Sequence, residues 1–213
     1  MEQQDILSMT LPELQAAVQE LGEPKFRAKQ IFNWLHQKRV TDFSEMTTLS
    51  LPFRERLASD FCINRLKIAK RLASSVDDTV KYLYELPDGN YVETVCMQYH
   101  HGTSLCISTQ VGCRMGCRFC ASAIAGFVRN LTPAEMLLQI YETERAQNCK
   151  ISSLVLMGIG EPLDNFDNVL RFLQLLSDPN GYGMSLRHVT VSTCGVVPKI
   201  LELAEQRLGL TLS

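Results

Sequence analysis

Residues 113–120 read Cys113-Arg114-Met115-Gly116-Cys117-Arg118-Phe119-Cys120. The CxxxCxxC spacing differs from the paired CxxC…CxxC of a zinc site, and three thiolates cannot complete a four-coordinate metal site. A cubane 4Fe-4S cluster that is held by only three thiolates keeps one iron with an open coordination position, where a substrate or cofactor can bind. The motif therefore predicts an iron-sulfur site with Cys113, Cys117 and Cys120 as ligands.

Other uses of these cysteines stay open at this point. Zinc would need a fourth Cys or His nearby, and the nearest histidines, His100 and His101, lie upstream of the motif beside a predicted strand. Unrelated thiols are a further alternative. A disulfide framework is disfavoured, because the sequence shows no signal-peptide segment and no apolar stretch of membrane-spanning length. The eight cysteines therefore predict a reducing, cytoplasmic location and no membrane partner.

A second motif lies downstream, in residues 154–163, which read Leu-Val-Leu-Met-Gly-Ile-Gly-Glu-Pro-Leu. The pattern predicts a buried parallel strand that ends in a glycine-rich turn with a carboxylate. Ligands of α/β folds bind at such carboxyl ends of strands. We expect Gly158 and Gly160 to let a ligand approach the backbone, and Glu161 to accept a hydrogen bond from it. Taken alone, a Gly-Glu-Pro turn is also an ordinary structural turn.

The composition is that of a globular protein, with 213 residues, 46% of them hydrophobic and 21% charged. A net charge of −2 gives no overall bias toward nucleic acid or membranes. Basic residues are nevertheless concentrated in the first third of the chain, where they form either a phosphate-facing surface or solvated helix faces. These residues are Lys25, Arg27, Lys29, Lys38, Arg39, Arg54, Arg56, Arg65, Lys67, Lys70 and Arg71.

The hydrophobic pattern divides the chain into three parts. Residues 1–65 predict a small helical domain, residues 66–100 a β-hairpin linker, and residues 101–213 alternating strands and helices. Thr10 is the expected N-cap of the first helix. Right-handed crossovers would wind the last part into a barrel or a doubly wound sheet. The alternation stops in mid-unit at Ser213, so we expect an incomplete domain.

These segments together resemble the RlmN family of dual-specificity 23S ribosomal RNA and transfer RNA adenine-C2 methyltransferases. The family belongs to the radical SAM superfamily, whose members cleave S-adenosylmethionine (SAM) at a 4Fe-4S cluster. The resemblance covers essentially the whole chain and rests on PKFRAKQIFNWL (24–35), VETV (92–95), CISTQVGC (106–113), MGIGEP (157–162) and VST (191–193). It implies an α/β fold, a partial (β/α) radical SAM barrel preceded by the helical domain and the hairpin linker.

The resemblance also implies roles for individual residues. Besides the three cluster cysteines, the SAM-binding residues would be Gly160, Glu161, Ser192 and Ser213. Glu93 would accept the proton from C2 of the adenine. Cys106 would release the product by forming a disulfide with a methyl-carrying cysteine, which is not in this sequence. From periodicity alone, Glu93 is a solvated strand residue and Cys106 a small buried one. The pattern assigns no role to Cys62, Cys96, Cys149 or Cys194.

The mechanism implied by the resemblance uses two SAM molecules. One methylates the missing cysteine, and a radical derived from the other activates that methyl group for addition to the adenine. The implied partners are 23S rRNA, tRNA and an electron donor such as flavodoxin or ferredoxin. Two alternatives stay open: the sister family that methylates C8 of adenine, and a non-catalytic RNA-binding remnant. A glycyl-radical activase fits less well, because it has no need for a helical N-terminal domain.

Overall fold

Three helices form the first part of the chain in a computed structural model that describes residues 3–124 and 126–213. They are α1 (Leu11–Glu20), α2 (Phe26–His36) and α3 (Leu51–Asp60). Thr10 is the N-cap of α1, as predicted, and its backbone N–H donates to Glu13 Oε2 at 2.8 Å. Two short parallel strands, β1 (Gln4–Asp5) and β2 (Phe61–Cys62), bring the ends of this helical domain together.

The rest of the chain contains nine strands and three α-helices within the described residues. The strands are β3 (Lys67–Ala73), β4 (Val80–Glu85), β5 (Tyr91–Tyr99), β6 (Gly102–Ile107), β7 (Gln110–Gly112), β8 (Phe127–Asn130), β9 (Ile151–Leu156), β10 (Val189–Val191) and β11 (Thr211–Leu212). The helices are α4 (Pro133–Gln147), α5 (Phe166–Ser177) and α6 (Val197–Glu205). The predicted alternation of strands and helices is therefore confirmed.

Seven of these strands form one mixed sheet in the order β11-β10-β9-β6-β5-β4-β3. The strands β6, β9, β10 and β11 are parallel neighbours, whereas β3 to β6 pair antiparallel. The parallel strands follow each other in chain order, without the reversal of strand order that defines a doubly wound sheet. Of the two predicted windings, the structure therefore has the partial barrel.

The predicted hairpin is present as β4 and β5, joined by a turn at residues 86–90. The structure adds that this segment is continuous with the barrel, because β3 extends it by a third strand and β5 pairs with β6. Alternate residues of β5 explain this continuity. Val92, Thr94 and Cys96 are buried on the face covered by α4, while Glu93 and Val95 point to the opposite face. The domain boundaries near residues 65 and 100 stay predictions.

The helical domain packs directly on the barrel helices. Fully buried His36 of α2 shares a hydrogen bond of 2.9 Å between its Nδ1 and the hydroxyl of Tyr141 in α4. Arg171 of α5 contacts Glu13 of α1 at 2.6 Å. Both parts therefore share one continuous hydrophobic core. In the described part of the chain, no helix is long and apolar enough to span a membrane.

Candidate active site

The candidate site lies where the loops that follow β6, β9 and β10 meet. These strands are parallel neighbours, so their carboxyl ends share one edge of the sheet. A pocket of about 220 Å³ opens there. The predicted site residues that line it are Cys113, Cys117, Cys120, Gly160, Glu161 and Ser192. The structure thus brings together both sequence motifs and the end of the next strand.

The cysteine loop is held at its base by the small β7–β8 hairpin, which the sequence did not reveal. The backbone N–H of Cys113 donates to the carbonyl of Gly126 at 3.1 Å, next to this hairpin. Arg114 fixes the loop from the side, because its Nε lies 2.9 Å from Asp164 Oδ2 and its guanidinium lies 3.8 Å from the centre of the Phe127 ring. The loop is therefore anchored at its base and at one side.

The three motif thiols border one pocket and fit a cubane iron-sulfur cluster, which three protein thiolates can hold with one iron left open. Zinc draws four ligands to about 2.0–2.3 Å from one point, and no group of three or more His, Cys, Asp or Glu in the described residues is placed to hold a single ion. A cubane spreads its thiolates over different irons, so its ligands border a pocket without meeting at one point. His100 and His101 flank the start of β6, away from the cysteine loop that follows its other end.

The two glycines of the turn after β9 allow it to pack tightly against the end of β6. A Cβ atom on Gly158 would lie 2.7 Å from the carbonyl of Ile107. Gly160 has φ +106°, and a Cβ atom there would lie 2.5 Å from Gln110 Cβ. We expected both glycines to make room for a ligand. The structure shows a further reason for them: the backbone of this turn lies too close to Ile107 and Gln110 to leave room for a side chain.

Glu161 links the turn to the loop that follows β10. Its carboxylate, 3% exposed, accepts hydrogen bonds from the backbone N–H groups of Leu163 at 2.9 Å and Cys194 at 2.7 Å. Its own N–H donates to Gln110 Oε1 at 2.9 Å. These bonds fix the orientation of the carboxylate at the edge of the pocket. Backbone donors on two loops thus hold the carboxylate, and its role as an acceptor for SAM stays a prediction.

Ser192 and Ser213 lie next to each other at the ends of β10 and β11. The N–H of Thr193 donates to the carbonyl of Ser213 at 3.0 Å, and the N–H of Ser213 donates to the carbonyl of Val191 at 2.9 Å. Ser192 lines the pocket, whereas Ser213 is exposed beside it and is not among the lining residues. The structure thus places Ser213 close to the predicted SAM site without bringing it into the pocket.

Glu93 and Cys106 share the face of the sheet that lies away from α4. Val95 is directly opposite Cys106, so Glu93 and Cys106 are diagonal neighbours with backbones about 7–8 Å apart. Glu93 lines a second pocket of about 250 Å³, and Ser122 lines both pockets. The Glu93 carboxylate pairs with Lys81, with 2.7 Å between Oε2 and Nζ. The predicted proton acceptor therefore borders the cysteine loop.

Cys106 is half-buried, and its surroundings disfavour the thiolate form. Burial raises the pKa of the Cys106 thiol, and a hydrogen bond from the Met157 backbone partly opposes that rise. No disulfide is present in the described residues. The partner that the resemblance implies for Cys106 lies outside this sequence, so the structure leaves its resolving role as a prediction.

Comparison with known proteins agrees with these observations. Residues 4–63 match the ribosomal RNA large subunit methyltransferase N-terminal domain, and residues 107–211 match the radical SAM superfamily. The chain is 52% identical to the probable dual-specificity RNA methyltransferase RlmN of Lachnoclostridium phytofermentans, over 98% of this chain and 59% of that protein. The chain belongs to the RlmN family. The RlmN of Clostridium novyi is 48% identical over 98% of this chain and 61% of its own length.

A solved structure shows the same fold as this RlmN-family chain. The radical SAM methyltransferase from Sphaerobacter thermophilus superposes with a TM-score of 0.90 at 34% identity, over 98% of this chain and 62% of that one. The chain therefore spans about 60% of the length of the RlmN relatives that it matches. Radical SAM membership implies a 4Fe-4S cluster and SAM as cofactors.

Sequence reasoning missed the part that Gln139 plays in the RlmN-family site. This α4 side chain is fully buried. Its Oε1 accepts hydrogen bonds from Thr94 Oγ1 at 2.8 Å and from the N–H of Ser108 at 2.9 Å. Its Nε2 donates a hydrogen bond to the carbonyl of Ser108 at 2.9 Å. The hydroxyl of Ser108 in turn donates to the carbonyl of Glu93 at 2.6 Å. The sequence signal was a glutamine among the apolar residues of an amphipathic helix.

Cys194 is the second residue whose place in the RlmN-family site was missed. It is exposed and lines the same pocket as the three cluster cysteines. The pKa of its thiol is raised to about 11. Partial burial of the thiol is the largest cause, and the Glu161 carboxylate and the thiols of Cys117 and Cys113 add to the rise. The only signal in the sequence was its position two residues after Ser192.

Proposed function

We propose that the chain is part of a radical SAM methyltransferase that modifies C2 of adenine in 23S rRNA and tRNA. One observation carries the proposal: the loops after three parallel strands place three cysteines, Glu161 and Ser192 around one pocket, and Ser122 joins that pocket to the one lined by Glu93. The dual-specificity RNA methyltransferases that the chain resembles over 98% of its length supply the substrate class.

The site residues predicted from the sequence have defined tasks in this proposal. Cys113, Cys117 and Cys120 hold the cluster, which when bound supplies the electron that cleaves SAM. Two backbone N–H groups hold the Glu161 carboxylate at the edge of the pocket. From that position Glu161 accepts a hydrogen bond from the amino group of SAM. Further contacts to SAM come from Gly160, Ser192 and Ser213.

The second pocket is proposed to hold the adenine. Glu93 takes the proton from C2. The Ser108 hydroxyl donates a hydrogen bond to the Glu93 carbonyl and so holds the Glu93 backbone in position. In the complete enzyme, Cys106 Sγ would then attack the sulfur whose methylene group is bonded to the base. The S–S bond forms, the S–CH2 bond breaks, and the methylene carbon keeps the electron pair and takes up a proton, so that the base leaves with a methyl group. The diagonal arrangement of Glu93 and Cys106 on one sheet face allows both to act on the same base.

The RNA and the electron donor are proposed to bind from outside the barrel. Basic residues surround α2, where Phe26 is 59% exposed and the Arg27 guanidinium lies 5.0 Å from the centre of its ring. An exposed aromatic ring with neighbouring cations suits contact with RNA bases and phosphates. A flavodoxin or ferredoxin would supply the electron, and the enzyme would act in the cytoplasm, where thiols stay reduced.

The test uses the chain completed with the C-terminal part of a family member, reconstituted without oxygen and incubated with adenine-containing RNA. Cys106→Ala should trap a covalent RNA–protein adduct, and Glu93→Ala should stall before loss of the C2 proton. Cys149→Ala, which changes a cysteine outside both pockets, serves as the control. Mass spectrometry of the digested RNA should show 2-methyladenosine. An active, adduct-free Cys106→Ala enzyme would refute its role, and 8-methyladenosine would favour the sister family.

A further inference from the structure

Four thiols border the candidate cluster pocket, one more than the motif supplies. Cys194 lines it together with Cys113, Cys117 and Cys120. Besides partial burial, the Glu161 carboxylate and the thiols of Cys117 and Cys113 raise the pKa of the Cys194 thiol, so these groups lie near it. Its N–H is fixed by Glu161 Oε2 at 2.7 Å. The fourth thiol is therefore held at the pocket by the carboxylate that is proposed to bind SAM.

We propose that Cys194 is a reversible fourth ligand of the cluster, bound to the open iron while SAM is absent and displaced when SAM binds. The inference rests on the proposed function, because it requires the cluster. Thiolates are the preferred protein ligands of iron-sulfur clusters, and an iron with an open position accepts a further one. Ligation forms one iron–sulfur bond and releases the Sγ proton to solvent, and no electron is transferred. Displacement by SAM breaks that bond, and the sulfur takes up a proton again.

Cys194 is the cysteine outside the motif that the described residues place at this pocket. The others lie elsewhere: Cys62 in β2, Cys96 and Cys106 in the strands of the sheet, and Cys149 after α4. Glu161 accepts the hydrogen bond that holds the backbone of Cys194 beside the pocket. SAM held by Glu161 would enter the same pocket, so the thiol and SAM would compete for the open iron.

The experiment compares wild-type protein, Cys194→Ala and Cys194→Ser after anaerobic reconstitution, with Cys149→Ala as the matched control. Electron paramagnetic resonance of the reduced cluster is recorded with and without SAM, and SAM affinity is measured by equilibrium dialysis. Without SAM, both Cys194 variants should give a spectrum different from that of the wild type, and with SAM all spectra should coincide. If the ligated form outnumbers the open form about tenfold, removing the thiol should tighten apparent SAM binding about tenfold.

Cys194→Ser distinguishes the loss of the sulfur from the loss of the contact with Glu161, because the serine hydroxyl keeps that contact. If Cys194→Ala changes the spectrum and the SAM affinity but Cys194→Ser behaves like the wild type, the effect comes from the contact with Glu161. That result would overturn the inference. Equal spectra and equal SAM affinity in all four proteins, each with about four irons per chain, would overturn it while leaving the proposed function intact. Wild-type protein that takes up no iron would overturn both.

Discussion

Replacing Gln139 by leucine should destabilise the protein by about 3–5 kcal/mol, because it breaks a buried network beneath the candidate site. Leucine has a similar volume but makes none of the three hydrogen bonds that join Gln139 to Thr94 and to the backbone of Ser108. Three buried polar groups would then lack a partner, and each costs about 1–3 kcal/mol. The three groups together would cost about 3–9 kcal/mol, and because the Thr94 hydroxyl can rotate toward another acceptor we expect a loss near the lower end, about 3–5 kcal/mol.

The assay is urea denaturation of the 213-residue chain, followed by circular dichroism. The free energy of unfolding of a protein of this size falls by about 2–3 kcal/mol per molar urea, so the loss lowers the urea midpoint by roughly 1–2.5 M. Gln147→Leu is the matched control, since Gln147 is a half-buried glutamine at the end of the same helix. It should change stability by less than about 0.5 kcal/mol. Equal midpoints for the two variants would refute the reasoning.

Three further predictions follow from the site and the core. Glu161→Ala should weaken SAM binding while the iron content stays unchanged, and unaltered SAM affinity would show that this carboxylate only holds the two loops together. Gly160→Ala should lower the urea midpoint, since φ +106° and the contact with Gln110 leave no room for a Cβ atom; an unchanged midpoint would contradict that packing argument. Burial lowers the pKa of His36 to about 4, so only the unfolded state binds a proton there between pH 6.5 and 4. The wild type should therefore lose stability as the pH falls through that range. His36→Gln should lose less, and equal pH dependence of the two urea midpoints would show that His36 does not contribute.

The cluster motif and the strand–helix alternation could be predicted because both are local in the sequence. The spacing of Cys113, Cys117 and Cys120 needs no tertiary information, and period-two or helical patterns mark the elements that follow. The shared edge of β6, β9 and β10 also follows from the sequence, since parallel strands joined by helices end on the same side. In the structure, Glu161 and Ser192 lie at this edge and line one pocket with the three motif cysteines.

Other parts of the site depend on pairings that the sequence does not encode locally. The joining of β5 to β6 turns a predicted linker into part of the barrel sheet, and only the register between them puts Glu93 diagonal to Cys106. Gln139 reaches Ser108 across 31 residues, so its role follows from how α4 packs on the sheet. Cys194 is held at the pocket by the hydrogen bond that its backbone N–H donates to the Glu161 carboxylate.

The measurement that tests the central claim most directly is metal analysis of the anaerobically reconstituted chain, combined with electron paramagnetic resonance before and after SAM is added. We predict about four irons per chain, a brown absorbance, and a spectrum of the reduced cluster that changes when SAM binds. All three should be lost in Cys113→Ala, Cys117→Ala and Cys120→Ala. Stoichiometric zinc without iron in protein prepared without oxygen, or a cluster spectrum that SAM leaves unchanged, would contradict the account.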